Sequence, residues 1–296
     1  MIVDEDISGF QPSTALSMRA YAPPLAFSRG HHIPPKIWQI LLPRPGSSDG
    51  PRDAEALSDT PSWLVQNPDY GYTLIGEREA DYFVDRHFSA DARMQGAWRA
   101  VKSPGVKFDL LRYLLLFIEG GVYTDTDTEA LKPVDAWIPA QYRHRAKVVI
   151  GVEFDRPEGG AWADAPRGLR FCQWTIAAAP GHPLFAKMAY YTVAALEGIA
   201  DERQTALGDP ELSSLDVTTA SSPASWTDVV LEELRLMDSN VTDATYFSGP
   251  RSIEPSLVGD ILVLPIDGFG MGQPHSNSTN DGSIPNTALL RHKFRG

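Results

Sequence analysis

The sequence predicts an α/β fold, in which one sheet carries helices on both of its faces. Strand-like apolar runs alternate with helix-like runs over most of the chain. Neither an internal repeat nor a linker interrupts this alternation, so a single domain is expected. We expect that domain to span residues 33–296, because residues 1–32 are rich in Pro, Ser and Gly and predict a poorly ordered arm.

Short periodic segments predict the first strands and helices. Residues 37–40 predict a buried strand, and residues 70–76, which alternate between two faces, predict a second one. Between them, residues 44–61 predict a loop with room for a short helix. Residues 77–88 predict a helix that follows the second strand directly.

The clearest helix is the segment VKFDLLRYLLLFIEGG, which Gly120 and Gly121 are expected to end. The strand VYTD follows at once, so a helix, a glycine turn, a strand and two aspartates come in immediate succession. The apolar face of the helix is formed by Leu111, Leu114, Leu115 and Ile118.

The second half of the chain continues the alternation. Residues 147–154 predict a strand, and residues 170–199 predict two helices joined by a Pro-Gly turn. A further helix is predicted from residue 225, with a strand at 260–267 and a glycine-rich tail after it.

Charge and composition exclude several classes of function. The 296 residues carry a net charge of -12, which argues against nucleic acid as a partner because phosphate backbones require a basic patch. No apolar run approaches the roughly 18 residues of a membrane helix, so no membrane segment is predicted in this chain. Residues 1–32 do not resemble a signal peptide, and the single Cys172 excludes an internal disulfide.

Asp125 and Asp127 are the strongest candidates for a cation site. They lie two residues apart at the end of a strand, where two carboxylates can converge on Mg²⁺ or Mn²⁺. The carboxyl ends of strands are also where open α/β sheets bind ligands. The alternative is a solvated loop or a helix cap, and Glu129 is expected just outside the site.

Asp109 and Arg112 lie three residues apart and therefore share one face of the preceding helix. One interpretation is a surface ion pair without function. The other is that the pair converges with Asp125 and Asp127 on one cleft, where it holds a sugar next to a phosphate.

These residues belong to a longer pattern. The segment FDLLRYLLLFIEGGVYTDTDTEALKP resembles the D-x-x-R-(x)n-G-G-x-Y-x-D-x-D block of glycosyltransferase family 32. The segments IPPKIWQ, SWLVQNPDYGYTL, GVEFDRPEGGAW, FCQWTIAAAPGHPLF, SWTDVV and HKFRG fit the same family, so the resemblance covers residues 33–296. Within the family, the likeness is strongest to mannosyltransferases of the fungal Golgi.

The resemblance implies a GT-A type, Rossmann-like sheet that binds a nucleotide sugar. It implies a GDP-mannose donor, a divalent cation (Mn²⁺, or Mg²⁺ instead) and transfer with retention of configuration. The implied product is an alpha-1,6-linked mannose on a mannose-rich N-glycan acceptor. The natural protein would then be a type II membrane protein facing the Golgi lumen, with an anchor absent from this chain.

The resemblance also implies roles for individual residues. Asp125 and Asp127 would hold the cation and the diphosphate, and Glu153 and Asp155 would lie where donor and acceptor meet as further catalytic candidates. The donor would contact Trp38, Gln39, Asp109, Arg112, Gly121, Tyr123 and Asp125.

The resemblance further implies a histidine among the cation ligands. His292 matches the tail position, while His275 is the alternative in a loop whose Gly268, Gly270 and Gly272 would let it close over the donor.

Three questions stay open at this point. The acceptor could instead be inositol-phosphoceramide, or the chain could be a catalytically silent sugar-binding protein of the same fold. The reaction could follow a front-face route, which we favour on family grounds, or a double displacement that needs a carboxylate nucleophile. Glu153 and Asp155 are the carboxylates to test for that role.

Overall fold

The computed structural model describes residues 32–42, 55–156, 168–207, 216, 220–248, 253–273 and 275–295. Within these ranges the expected α/β sheet flanked by helices is confirmed. The expected N-terminal arm and most of the loop expected at 44–61 lie outside the described residues. Among the described residues, no helix has the length and apolar character that crossing a membrane requires.

The strands and helices carry the following labels. The described strands are β1 (Lys36–Ile40), β2 (Gly71–Ile75), β3 (Gly121–Thr124), β4 (Thr128–Ala130), β5 (Val148–Asp155), β6 (Leu169–Phe171), β7 (Thr175–Ala178), β8 (Ser256–Val258), β9 (Ile261–Leu264) and β10 (Leu290–His292). The helices are α1 (Thr60–Gln66), α2 (Glu77–His87), α3 (Ala92–Ala100), α4 (Pro104–Ile118), α5 (Pro183–Glu202), α6 (Pro223–Met237) and α7 (Ile266–Gly270).

The main sheet has the strand order β2-β1-β3-β7-β5-β9-β8, and β6 pairs with β5 beside this path. Strands β2, β1 and β3 are mutually parallel, as are β5 and β9. Strand β7 lies antiparallel between β3 and β5, so β3 and β5 point the same way. Their carboxyl ends therefore meet at one edge of the sheet. A second, two-stranded sheet pairs β4 with β10.

Alternating residues of the central strands bury the two faces of the sheet. On β5, Val148 and Ile150 belong to the apolar cluster formed with α2 to α6, while Val149 belongs to the cluster formed with α1 and α7. On β3, Tyr123 and Val122 divide between the clusters in the same way. Because every second side chain of a strand faces the same layer, the sheet is covered by helices on both sides.

Helix α4 ends at two glycines that no other residue could replace without strain. Gly120 and Gly121 have φ values of +61° and +96°, in the left-handed region that favours glycine. A Cβ on Gly120 would lie 2.7 Å from the carbonyl oxygen of Ala178, and one on Gly121 would lie 2.8 Å from that of Lys36. The expected stop at this glycine pair is confirmed, and strand β3 begins at the second glycine.

The prediction of a helix in the first part of residues 170–199 was wrong, because this segment forms β6 and β7. Strand β7 lies between two other strands and is buried on both faces, so its run of apolar residues shows no alternation. The second predicted helix of this segment is confirmed as α5. Helices α1 and α3 and the short strand β10 were not predicted as such.

The expectation that three glycines let a loop close over the donor is wrong for Gly268 and Gly270. Both lie within α7, which packs on β5. A Cβ on Gly270 would lie 2.7 Å from the carbonyl oxygen of Val152, so this glycine permits close packing. Of these three glycines, Gly272 alone, with a φ of +88°, has no neighbouring atom within 4 Å of where its Cβ would lie.

The beginning of α5 is fastened to the start of β9 by a cluster of charged and polar side chains. His182 caps the helix and places its Nε2 3.2 Å from Asp260 Oδ1, while Lys147 Nζ lies 3.1 Å from the other carboxylate oxygen. The hydrogen bond from His182 lowers the pKa of Asp260 to about 2, and the charge of Lys147 contributes.

We predict that Asp260→Asn lowers the free energy of unfolding on the order of 2 kcal/mol at neutral pH. The folded-state pKa lies below the ordinary value of 3.8, so this stabilisation is present above about pH 4 and is lost as the pH falls towards 2. Urea unfolding at several pH values measures the difference between the variant and the wild type. For the control variant Asp201→Asn, which changes an exposed carboxylate, we expect no such difference. A loss of stability in Asp260→Asn that does not depend on pH would contradict the prediction.

Candidate functional site

The candidate site lies at the edge of the sheet where β3 and β5 end. Asp125 follows the last residue of β3, and Asp127 precedes β4. Glu153 and Asp155 lie at the end of β5, next to a register shift in its pairing with β6. All four carboxylates are therefore at the carboxyl edge, where open α/β sheets bind their ligands.

The turn that carries the two aspartates is fixed through the backbone of Asp125. Its N–H donates to the carbonyl of Trp174 over 2.8 Å. Its carbonyl oxygen accepts from the side chains of Gln39, at 3.0 Å, and Thr128, at 2.6 Å. The position of the Asp125 carboxylate is thus set by three neighbouring segments of the chain.

Gln39 supports this turn and is completely buried. Its Oε1 accepts from the hydroxyls of Thr60, at 2.7 Å, and Tyr72, at 2.8 Å, while its amide nitrogen donates to Asp125. The side chain therefore has no surface to offer a nucleotide in this structure. The sequence predicted the importance of Gln39, but the structure gives it a supporting position beneath the turn.

The structure does not bring Trp38 and Gly121 to the aspartates. The indole N–H of Trp38 donates to the carbonyl of Gly120 over 2.8 Å, at the amino end of β3. Gly121 is the first residue of that strand, and four residues of extended chain put it about 13 Å from Asp125. Of the expected donor contacts, Tyr123 does reach the site, since its hydroxyl donates to Asp125 Oδ1 over 2.5 Å.

The segment after β10 holds Asp127. Pairing of β10 with β4 places His292 opposite Thr128, and His292 Nε2 lies 3.1 Å from Asp127 Oδ1. The backbone N–H groups of Lys293 and Arg295 donate to the carbonyl and to Oδ2 of Asp127, at 2.9 and 2.8 Å. The guanidinium of Arg295 also contacts the side chains of Ser58 and Asp59, which precede α1.

Among the described residues, Asp125, Asp127 and His292 form one group that fits a metal ion. One ligand atom from each lies within 4.8 Å of the others. Two carboxylates and one imidazole suit Mn²⁺ and leave coordination positions for phosphate oxygens and water. The group includes His292 and not the alternative His275, which the structure places near Arg170 instead.

The two aspartates differ in their proton affinity. Burial raises the pKa of Asp125, although the charge of Arg112 opposes this shift. Burial also acts to raise the pKa of Asp127, but the hydrogen bonds from His292 and from the backbone of Arg295 lower it overall. Asp127 is therefore the more readily ionised of the two carboxylates.

The interpretation of Asp109 and Arg112 as a surface ion pair was wrong. The Arg112 side chain is only 6% exposed, and its guanidinium lies 2.9 Å from Asp109 and 3.4 Å from Asp125. It also donates to the hydroxyl of Tyr123 over 3.2 Å and stacks on that ring. Burial raises the pKa of Asp109 to about 6, against the opposing charge of Arg112. Helix α4 thus presents a desolvated positive charge to the aspartates.

Glu153 and Asp155 are both engaged by other side chains. Arg170 on β6 donates to both carboxylate oxygens of Glu153, at 2.6 and 2.9 Å, and both side chains are buried. Asp155 accepts from the hydroxyl of Ser248 over 2.5 Å. Burial raises the pKa of each carboxyl group, and the partners oppose that shift.

Arg170, Trp174 and Ser248 were not predicted as site residues. Arg170 and Trp174 lie at β6 and just before β7, in the segment that the sequence predicted as a helix. Only the antiparallel pairing of β6 with the end of β5 brings Arg170 beside Glu153, and the sequence did not indicate that pairing because it predicted a helix there. Ser248 carries no signal in the sequence, since it lies in an irregular segment far from β5 along the chain.

The chain is similar to known proteins over most of its length. The family described as "Glycosyltransferase sugar-binding region containing DXD motif" matches residues 54–144, which include Asp109, Arg112, Asp125 and Asp127. A solved structure, the PaToxG glycosyltransferase, is 19% identical and covers 73% of this chain and 75% of its own, with a TM-score of 0.41. That structural similarity is too low to indicate anything further.

Two curated fungal proteins are similar to nearly the whole chain. The initiation-specific alpha-1,6-mannosyltransferase of Schizosaccharomyces pombe is 33% identical over 279 residues, which cover 89% of this chain and 63% of that protein. The protein of the same name from Candida albicans is 30% identical over 288 residues, which cover 89% of this chain and 71% of that protein. The chain therefore spans less than two thirds of the length of the first of these relatives.

We predict that Arg112→Ala lowers the free energy of unfolding by about 2–4 kcal/mol, because it leaves the buried carboxylate of Asp109 without its partner. Asp125 contributes less to this loss, since its side chain is 30% exposed. Urea unfolding measures the effect. The control is Arg99→Ala, which removes an exposed pair with Asp85 and should cost at most about 1 kcal/mol.

The double variant Asp109→Asn/Arg112→Met separates charge from packing. It removes one buried carboxylate together with the guanidinium, so it should be more stable than Arg112→Ala. If Arg112→Ala and Arg99→Ala lost equal stability, the Asp109–Arg112 pair would behave as an exposed surface ion pair and the prediction would be refuted.

Proposed function

This chain belongs to glycosyltransferase family 32, and we propose that it is a metal-dependent retaining mannosyltransferase that moves mannose from GDP-mannose onto the N-glycan core in alpha-1,6 linkage. The observation that carries the proposal is the grouping of Asp125, Asp127 and His292 next to the buried Arg112. The shared name of the two fungal relatives supports the sugar and the linkage.

A nucleoside diphosphate sugar fits the charges of the site. The chain is acidic overall, with a net charge of -12, so its surface as a whole repels a diphosphate. The guanidinium of Arg112 provides a local positive charge, and its neighbour Asp109 can accept hydrogen bonds from sugar hydroxyls. In this proposal the pair holds the donor sugar, while Asp125 and Asp127 face its diphosphate.

Asp125, Asp127 and His292 are the residues that would hold the cation. When bound, Mn²⁺ or Mg²⁺ would stabilise the charge that grows on the leaving diphosphate. The protein contributes a rigid arrangement of ligands, because the turn is fixed by Trp174, Gln39 and Thr128 before any ligand arrives. A ligand set that is already in place needs little reorganisation on binding.

The pairing of Glu153 with Arg170 supports a front-face route for the retaining reaction. A double displacement requires a carboxylate with a free oxygen directed at the anomeric carbon. Both oxygens of Glu153 accept from Arg170, whereas the hydrogen bond from Ser248 engages only Oδ1 of Asp155, which therefore stays the carboxylate to test as a nucleophile. In a front-face reaction these groups line the site without bonding to the sugar, and the leaving diphosphate accepts the acceptor's proton.

The acceptor and the compartment are inferred from the relatives and from two exposed sequons. Mannose-rich N-glycans are the acceptors that an enzyme of this linkage would meet in the Golgi lumen, and we propose that compartment for the natural protein. Asn240 and Asn277 each begin an Asn-X-Thr sequon, and both are exposed on the surface. Glycosylation at these positions is compatible with the fold, because both side chains are solvent-exposed.

We predict that Asp125→Asn and Asp127→Asn each abolish mannose transfer while the fold is retained, because each change removes a ligand charge at constant size. A chelator should abolish transfer reversibly, and added Mn²⁺ should restore it. The assay is the release of GDP from GDP-mannose with a mannose-rich acceptor. Asp85→Asn, on the exposed side of α2, should retain full activity. Full activity in excess chelator would refute the cation site.

We predict that GDP with Mn²⁺ raises the melting temperature more than UDP with Mn²⁺ at equal concentration. Guanine presents an N1–H beside an exocyclic amino group, whereas uracil has an N3–H but no amino group and cannot match this pair of donors. Each buried acceptor left unpaired by UDP would cost about 1–3 kcal/mol. A thermal-shift assay measures both nucleotides in parallel, with ADP as a second purine control. Equal or stronger stabilisation by UDP would refute the mannosyltransferase and leave the family and the cation site untouched.

Assays with two acceptors, run on one protein preparation, distinguish the alternative functions. Release of GDP with a mannose-rich glycan supports the N-glycan acceptor, and release with inositol-phosphoceramide alone supports the lipid acceptor. Binding of GDP-mannose and Mn²⁺ without turnover on either acceptor would indicate a silent sugar-binding protein.

A further inference from the structure

His292 packs against two aromatic side chains. The indole of Trp174 stacks on its imidazole with ring centroids 4.6 Å apart and an interplanar angle of 14°. The ring of Phe294 meets it edge-on, with centroids 4.0 Å apart and an angle of 69°. Trp174 and Phe294 also contact one another at 5.6 Å. One face of the imidazole is thus covered by the indole, whose plane lies nearly parallel to it, and Phe294 packs beside the pair.

The polar contacts of His292 involve only one of its two ring nitrogens. Its Nε2 contacts Asp127, which belongs to the same group of potential metal ligands. Its Nδ1 is buried and has no hydrogen-bond partner among the described residues. A metal-binding histidine ordinarily donates its second N–H to a carboxylate or a carbonyl, and that hydrogen bond sets the orientation of the ring. At Nδ1 of His292 no such bond is found within the part of the chain that the structure describes.

Trp174 is itself held firmly. Its indole N–H donates to the carbonyl of Phe269 over 3.2 Å, and its side chain is almost fully buried. Its own carbonyl oxygen accepts from the N–H of Asp125 over 2.8 Å. One residue therefore fixes the backbone of Asp125 and covers the ring of His292, although these two residues are far apart along the chain.

We propose that Trp174, with Phe294, is a positioning residue of the cation site: its indole face orients His292 in place of the absent hydrogen bond. The inference rests on the proposed cation site and goes beyond it. A side chain that only fills the core would affect stability alone, whereas a side chain that orients a ligand changes the affinity for the cation.

The test compares the Mn²⁺ affinity of Trp174→Phe, Trp174→Leu and the wild type. Binding is read from the EPR signal of free Mn²⁺, which falls as the ion binds, and no turnover is needed. All these changes leave the carbonyl of residue 174 in place, so the bond to Asp125 is preserved. Trp174→Leu should weaken binding roughly 10- to 100-fold, the usual range for residues that orient a metal ligand. Trp174→Phe keeps an aromatic face and should stay within about threefold of the wild type.

The control for packing is Trp98→Leu. Trp98 is a buried tryptophan of α3 whose indole N–H donates to Asp81, away from the sheet edge. This variant should lose stability without losing Mn²⁺ affinity. Wild-type affinity in a folded Trp174→Leu would overturn the proposal. An equal loss in Trp174→Phe would also overturn it, because the indole N–H and not the stacked ring would then be responsible.

A double-mutant cycle tests whether Trp174 acts through His292. In a His292→Ala background, Trp174→Leu should cause no further loss of Mn²⁺ affinity, since there is no imidazole left to orient. A full additional loss would overturn the proposal. If Trp174→Leu does not fold, Phe294→Leu takes its place in the cycle, because Phe294 is 48% exposed and its truncation is tolerated more easily.

The outcomes separate this inference from the function on which it rests. A wild-type protein that does not bind Mn²⁺ refutes the cation site, and this proposal with it. A wild-type protein that binds Mn²⁺ together with an unaffected Trp174→Leu refutes the positioning role alone.

Discussion

The backbone of Asp125 is hydrogen-bonded on both sides, and the rest of the site depends on this constraint. Its N–H reaches Trp174 at the start of β7, and its carbonyl accepts from Gln39 on β1 and from Thr128. These bonds hold the turn between β3 and β4 in one place. The carboxylate is then close enough to Arg112 for a desolvated charge to act on it, which would be impossible in a mobile loop.

The sequence predicts those parts of the fold whose signals are local. The strands β1 and β2, the helix α4 and the glycine pair after it follow from periodicity and from conformations that only glycine adopts easily. Strand β7 was missed because a strand buried on both faces carries no alternation. The short strands β4 and β10 have three residues each, too few to show any period.

The site was predictable only in part, for a related reason. Asp125 and Asp127 are neighbours in sequence, so their grouping could be inferred directly. The burial of Arg112 could not, because the spacing of Asp109 and Arg112 fits an exposed ion pair and a buried one equally well, and only tertiary packing decides between them. The role of Trp174 could not be predicted either, because it depends on contacts with Asp125 and His292, and neither is near Trp174 along the chain.

The pairing of β10 with β4 has a consequence for the order of assembly. His292 and Asp127 are separated by 165 residues, and every residue between them must leave the ribosome before the two can meet. Closing so long a loop costs entropy that no local contact repays. A nascent chain can therefore build the layers around α4 and β3 early while its ligand group remains incomplete. Under the proposed function, the third cation ligand then joins the group in one late step, and a chain stalled during synthesis would be folded in part without it.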